Sequence, residues 1–337
     1  MQYQRIIATH TGGPEVLQVI EEELRPPADN QVRIRVLAAA VSRPDISVRQ
    51  GKSLYNGTPL GQKFPFTPGY AVVGEVDAVG AKVSGVAAGA QVAALTVTGG
   101  YSEYLYWRGD RLIPVPAGLD PAKAVTLVLN YLVAFQALHR AAKVKAGEKA
   151  LVIGASGGIG TALLQLGNLA GLKLYGLASQ SKHPQLARYG AVLVDYTAQY
   201  FVEVIRRAEP GGLEAVFDGM SGGYIQRGLQ VLGKGGRLVS FGEPSGGLPA
   251  LSRLLGTVIK TNLLPNGRRI ALYGTSTYFL GNRQPYVEDW ASLFGLLAEG
   301  KIQPVIHQKY PILEAAQANA MLESGQVVGN VVLVAAD

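Results

Sequence analysis

The run Gly154-Ala155-Ser156-Gly157-Gly158-Ile159-Gly160 lies between an apolar stretch, residues 149–153, and a helical pattern that begins at once. Glycines there allow a tight turn and let the backbone approach a pyrophosphate closely. The helix that follows points its positive end at the anion. The context is the one such a site needs: a strand before, a helix after, and a second strand ending about 20 residues on. At the end of that second strand an Asp or Glu would bond a ribose 2′-hydroxyl and repel a 2′-phosphate. The sequence there is Leu-Ala-Ser-Gln-Ser-Lys-His, with no acid. Ser179, Ser181 and Lys182 offer hydroxyls and a cation, the partners a phosphate monoester prefers. These residues point to NADP(H).

Two glycine patterns fit the loop. Gly154, Gly157 and Gly160 form a three-residue repeat, whereas Gly154, Gly158 and Gly160 match the short-chain dehydrogenase spacing. The second pattern requires a tyrosine with a lysine four positions on, and none of the 16 tyrosines has one. It is set aside.

The elements around the loop set its frame. After Gly147, six short apolar runs (149–153, 173–178, 191–196, 213–218, 236–242 and 269–274) alternate with helical segments. That order predicts a doubly wound parallel sheet of six strands. The first third reads differently. Residues 31–41 alternate, residues 71–85 break β-prone runs with glycine, and residues 99–119 continue in that style. At Asp120 the texture turns helical, with Asp as N-cap and Pro121 in the first turn. The apolar stretch 124–138 falls short of the roughly 18 residues of a membrane span and carries Asn130 and Gln136, so it reads as a buried helix. The expected organisation is a β-rich domain, residues 1–123 plus 277–337, with a nucleotide domain, residues 124–276, inserted in it.

The bulk numbers bound the answer. A chain of 337 residues, 48% hydrophobic and 16% charged, can bury two cores and is not a disordered polymer. The net charge is +7, but Lys and Arg are scattered without a dense run, which disfavours nucleic acid and leaves an anionic small ligand. No apolar signal segment follows the first residues, so a cytoplasmic location is expected. There is no cysteine, and His10, His139, His183 and His307 are far apart in sequence. A zinc site needs thiolate or imidazole donors at defined positions, so none is expected.

On these motifs the sequence resembles the medium-chain dehydrogenase/reductase superfamily, in its zinc-independent quinone oxidoreductase-like branch. Residues 41–51 are similar to the branch's N-x-x-D…R-x-G segment, with Ser42 where Asn is usual, and residues 64–85 to its PG-x-E-x-x-G-x-V segment. The segments at 99–104, 154–160, 214–223, 236–246 and 321–333 follow in family order. The resemblance implies a Rossmann sheet inserted in a GroES-like β-rich catalytic domain. Where zinc relatives carry a Cys, this chain has Ser42; where they carry His-Glu, it has Tyr70-Ala71. The cofactor contacts implied are Ser42, Asp45, Asn130, Gly154, Ser156, Gly157, Gly158, Ile159, Gly160, Ser179, Lys182, Tyr196, Phe241, Gly242 and Asn330. Asn330 stands where the family often has Lys.

Without zinc there is no strong Lewis acid, so a hydride must go to an acceptor already electrophilic, such as a quinone or conjugated enone. The protein then positions the acceptor and offers donors to the developing enolate-like oxygen. Tyr55, Tyr70 and Asn130 are the candidate catalytic residues. Two other functions remain open: a non-catalytic NADPH-binding or sensor protein, and a zinc-free alcohol dehydrogenase. The resemblance also implies a homodimer, formed edge to edge through the sixth strand.

Overall fold

The computed structural model describes residues 1–53, 56–59, 61–242, 247–275 and 282–336. The chain divides into two compact units, Met1–Leu129 with Arg283–Asp337, and Asn130–Asn282.

In the β-rich unit, β1 (Gln2–Ala8) and β2 (Leu17–Glu23) pair antiparallel. The alternating residues 31–41 form the long strand β3 (Gln31–Val41), whose Val32, Ile34 and Val36 are buried while Arg35 between them is exposed. That is the period-two burial of a sheet with one face on the core. Against β3 lie β4 (Ala71–Val79) and β6 (Tyr104–Arg108), and β5 (Gln91–Leu95) and β7 (Ile113–Pro114) continue from β4. The short helix α1 (Arg43–Arg49) follows β3 directly. Ser42 and Asp45 form a capping box at its start, and Pro44 sits in its first turn, where a missing N–H costs nothing.

Helix α2 runs over Pro121–Ala142. Asp120 caps it, accepting a bond from the Ala122 amide at 2.9 Å. It extends beyond the apolar stretch read from sequence, and its length and composition would suffice to cross a membrane. Yet 78% of its most apolar stretch is buried inside the protein, as in a core helix. Two π-helical segments, Leu127–Tyr131 and Ala137–Ala142, widen it. The sequence carried no sign of them.

The second unit is the predicted parallel sheet. Its strands are β8 (Lys149–Ile153), β9 (Lys173–Leu177), β10 (Val192–Val194), β11 (Leu213–Asp218), β12 (Leu232–Ser240) and β13 (Arg269–Leu272). All neighbours run parallel, in the order β10-β9-β8-β11-β12-β13. This is the doubly wound dinucleotide order, with its reversal between β8 and β11. The crossovers include α3 (Gly158–Leu169), α4 (Phe201–Ala208), α5 (Gly223–Val231) and α6 (Gly247–Leu263). The connection after β9, read as one helix, is instead a short helical turn, His183–Leu186, flanked by 3-10 turns. Strand β13 lies at the sheet edge, but α6 lends it a partner. The Asn262 side chain accepts from the Ile270 amide at 2.7 Å and donates to the Ile270 carbonyl at 3.2 Å.

The chain then returns to the β-rich unit through α7 (Gln284–Ala298), β14 (Ile306–Pro311), α8 (Ala315–Glu323) and β15 (Asn330–Val334). β15 adds antiparallel to β3, so the C-terminal strands join the sheet begun by the first part of the chain.

Candidate active site

The glycine loop turns at Gly154, whose φ of +81° is a left-handed conformation that glycine adopts without strain. A Cβ at Gly160 would lie 2.2 Å from the Gly154 carbonyl oxygen and 2.7 Å from the Ala155 carbonyl carbon. Only glycine lets the first turn of α3 dock on the loop this closely. Gly157 differs. A Cβ there would meet only the Gly154 oxygen, at an ordinary 3.6 Å. The fold does not need glycine at 157, but a ligand resting on the loop would. Gly157 is also the N-cap of α3, and no side chain caps that end. The first-turn amides, Gly158 and Ile159 among them, are the donors a helix presents to an anion.

The strand order reverses between β8 and β11, so the loop after β11 is the glycine turn's natural companion. Its organiser is Asp218, buried at the end of β11. One carboxylate oxygen accepts from the amides of Met220 at 2.8 Å and Ser221 at 3.1 Å. Burial raises its pKa above the usual carboxylate range, opposed by those amide bonds. Ser221 has a φ of +57° and donates its hydroxyl to the Gly242 carbonyl at 2.7 Å. Phe241 and Gly242 are half-buried beside it, and a Cβ on Gly219 would sit 2.7 Å from the Phe241 ring. Sequence reasoning missed Asp218 and Ser221. The available signal was an acid ending an apolar run, followed by Gly-Met-Ser-Gly-Gly.

Beyond β9 one of the predicted phosphate partners reaches the glycine loop. Lys182 Nζ lies 3.4 Å from Ser156 Oγ in the glycine loop, and the hydroxyls of Ser179 and Ser181 are 3.4 Å apart. Tyr196, after β10, is exposed. Its neighbour Asp195 is the acid of this region. Its carboxylate accepts from the hydroxyl and amide of Thr197, at 2.7 and 3.0 Å, which holds its pKa low. Asn130 is half-buried within the first π-helical segment of α2. Such segments recur at functional sites.

In the β-rich unit, Ser42 and Asp45 are both buried and bound to each other. Asp45 accepts from the Ser42 hydroxyl at 2.5 Å, the Ser42 amide at 2.9 Å and the Gly69 amide at 2.9 Å. Burial pushes its pKa up to about 6 against the pull of these donors. The buried Tyr101 hydroxyl faces the same carboxylate without meeting full hydrogen-bond geometry, and burial with the Asp45 charge raises its pKa well above normal. Tyr70, next to Gly69, is itself buried. The structure thus joins Ser42, Asp45 and the Tyr70 turn into one unit. Asn330 is buried in β15, and its Nδ2 donates to the Val305 carbonyl at 2.8 Å. Tyr55 lies outside the described residues.

Zinc does not fit these donors. At 42 and 70–71 the chain carries hydroxyls and a methyl group, and among the described residues no three His, Cys, Asp or Glu converge. The uncapped N-terminus of α3, the space left by Gly157 and the cation beside Ser156 fit the phosphates of a dinucleotide.

Comparison with known proteins bears on the fold and the family. Residues 28–117 match the alcohol dehydrogenase GroES-like domain, and residues 189–333 match a domain described as zinc-binding dehydrogenase. Quinone oxidoreductase of Sus scrofa is 31% identical over 329 residues, covering 96% of this chain and 95% of that protein. The chain belongs to the quinone oxidoreductase-like branch of the medium-chain dehydrogenase/reductase superfamily. It is accordingly an oxidoreductase. Within the superfamily, the Escherichia coli quinone oxidoreductase complexed with NADPH superposes with a TM-score of 0.86 at 27% identity, over 98% of this chain and 99% of that one. The JamJ enoyl reductase superposes at 0.88 over 100% of both chains, at 23% identity, a likeness of fold.

Proposed function

We propose that this protein is an NADPH-dependent, metal-independent reductase that transfers a hydride to quinones or conjugated enones. The observation that carries the reading is the Lys182 ammonium beside Ser156, at the end of a second strand that has no acid of its own. The pyrophosphate rests on the loop Gly154–Gly160 and the first turn of α3, through amides at Gly157, Gly158 and Ile159 and the Ser156 hydroxyl. The 2′-phosphate takes Lys182, Ser179 and Tyr196. Phe241 and Gly242 flank the reversal point, and Asn130 holds the nicotinamide ribose. When bound, the cofactor supplies the hydride.

The acceptor needs no Lewis acid because its own conjugation spreads the developing charge. Tyr55 and Tyr70 are the proposed donors to that oxygen, and solvent delivers the second proton. The Ser42–Asp45 bonds give those two residues a positioning role, and the Asn330–Val305 bond gives Asn330 a structural one. A homodimer in the cytoplasm belongs to the same proposal, with one condition: pairing along β13 must accommodate the Asn262 amide at Ile270.

The test is steady-state reduction of a panel of quinones, enones and, in reverse, secondary alcohols. Lys182→Ala should lower kcat/KM for NADPH by about 10- to 100-fold, the worth of one charge-assisted bond, and leave NADH within about twofold. Equal use of NADH and NADPH by the native enzyme overturns the cofactor assignment. Tight NADPH binding with no turnover on any acceptor supports a binding protein instead, and turnover of alcohols alone an alcohol dehydrogenase.

A further inference from the structure

Val97 has a φ of +66°. A β-branched residue in the left-handed region is a genuine outlier, because its Cβ crowds the backbone. Among the described residues, two other non-glycine residues share positive φ: Lys143 and Ser221. Lys143 ends α2, where a left-handed cap is ordinary. Ser221 belongs to the loop beside the glycine turn. Val97 follows β5 and lies against the Tyr70 turn.

The surroundings over-determine its conformation. The amides of Thr96 and Val97 both donate to the Tyr70 carbonyl, at 2.9 and 3.2 Å, and Thr96 Oγ1 donates to the Gly69 carbonyl at 2.6 Å. Farther along, Gly99 donates to Thr67 at 2.7 Å, Gly100 to Gly69 at 3.1 Å and Tyr101 to Pro68 at 2.9 Å. Segments 67–70 and 96–101 are therefore zipped together, and Asp45 anchors the first through the Gly69 amide. Thr96 is 4% exposed, but Val97 is 44% exposed. The strain holds an apolar side chain outward, where folding gains little from it. A turn needing only to close would take glycine, as the same loop does at Gly99, with φ +105°. Strain retained without a folding benefit points to function.

We propose that Val97 is a specificity-determining residue of the acceptor site, its isopropyl group forming an apolar wall beside the Tyr70 turn against which the acceptor packs. This rests on the reading of the protein as a quinone or enone reductase with Tyr70 on the acceptor side.

Two variants keep the turn while changing the wall. Val97→Gly removes it, and Val97→Asn makes it polar; both residues tolerate the left-handed region. Native and variant enzymes are assayed with a single-ring benzoquinone and a fused-ring naphthoquinone, alongside NADPH titration and thermal melting. Both variants should melt no lower than the native protein and bind NADPH within about twofold of it. The naphthoquinone-to-benzoquinone ratio of kcat/KM should fall by about 10-fold, the scale of one or two lost apolar contacts. Turnover with an unchanged ratio overturns the assignment alone. So does a lower melting temperature with equal loss on both acceptors, which marks a structural role. NADPH binding without turnover by the native enzyme overturns the reductase reading, and this assignment with it.

Discussion

Asp45 and Asp218 are two buried carboxylates, one in each unit, and burial raises the pKa of both. Each gathers backbone amides, but from different distances along the chain. The amide partners of Asp218 are two and three residues ahead, so it shapes a single turn. Asp45 takes Ser42 three residues back and Gly69 24 residues ahead, so it ties a helix start to a distant turn. The nucleotide unit builds its site from short local motifs at strand ends. The β-rich unit builds its own by cross-linking segments that only the fold brings together. On this comparison, damage to the first unit strikes cofactor binding, and damage to the second strikes handling of the acceptor.

The largest effect is expected where a local motif is packed tightest. Gly160→Ala drives a Cβ into backbone atoms of Gly154 and Ala155, neither of which can move without moving the loop. The expected loss is about 3 kcal/mol of stability, with NADPH affinity down at least about 100-fold. Gly157→Ala meets only an ordinary contact. It should stay within about 1 kcal/mol of native stability yet lose NADPH affinity by about 10-fold or more, because in the proposed complex the methyl group stands where the pyrophosphate lies. Denaturant unfolding with calorimetric titration separates the two. Native affinity in Gly157→Ala would remove the loop from the site.

The carboxylates themselves give the next largest effect. Asp45→Asn leaves either the Ser42 or the Gly69 amide facing an amide nitrogen, at about 1–3 kcal/mol for the mismatched group, whereas Asp218→Asn can keep one oxygen on both of its backbone amides and loses the carboxylate charge. Their kinetic signatures should differ. Asp218→Asn should raise the NADPH dissociation constant with little change in the acceptor KM at saturating cofactor. Asp45→Asn should leave the dissociation constant within about twofold and change kcat or the acceptor KM. If both weaken NADPH equally, the division of labour between the units is wrong.

The same contrast explains what was legible in the sequence. The six strands, the glycine turn and the Lys182 neighbourhood could be read because each is a contiguous pattern whose physics is local: apolar runs, positive φ and a helix start. The Ser42–Asp45 capping box is also local, a Ser three residues before an Asp. Its extension to Gly69, and the placing of Val97 against Tyr70, depend on strand pairing across β3, β4 and β5, which no window of sequence contains. The π-helical segments, one of which carries Asn130, were invisible for another reason. They insert one residue into a helical turn without altering the apolar composition. Asn262 of α6 shows a third limit, since an edge strand in the family order does not reveal that a neighbouring helix already bonds the Ile270 backbone.

The smallest effect is the one that isolates charge. Asp45 has its pKa raised to about 6 in the fold, from 3.8 in a model peptide. The folded state therefore holds this proton more tightly than the unfolded chain. The stability it contributes is fully present below about pH 4 and is lost as pH rises through about 6. Other groups titrate in the same range. Glu209, paired with Lys149, and Asp195, held by Thr197, have lowered pKa values, and their contributions run the opposite way, weakening as pH falls. Asp218 runs the same way as Asp45. All three are common to the native protein and Asp45→Asn, so they cancel in the difference between the two. The native protein's stability relative to Asp45→Asn should accordingly decline as pH rises from about 4, most steeply near about pH 5, midway between the unfolded and folded values, and level off above about pH 6. Urea unfolding at each pH measures that curve. A flat difference would mean that the carboxylate is solvated in the folded protein, and the link from α1 to the Tyr70 turn would lose its buried charge.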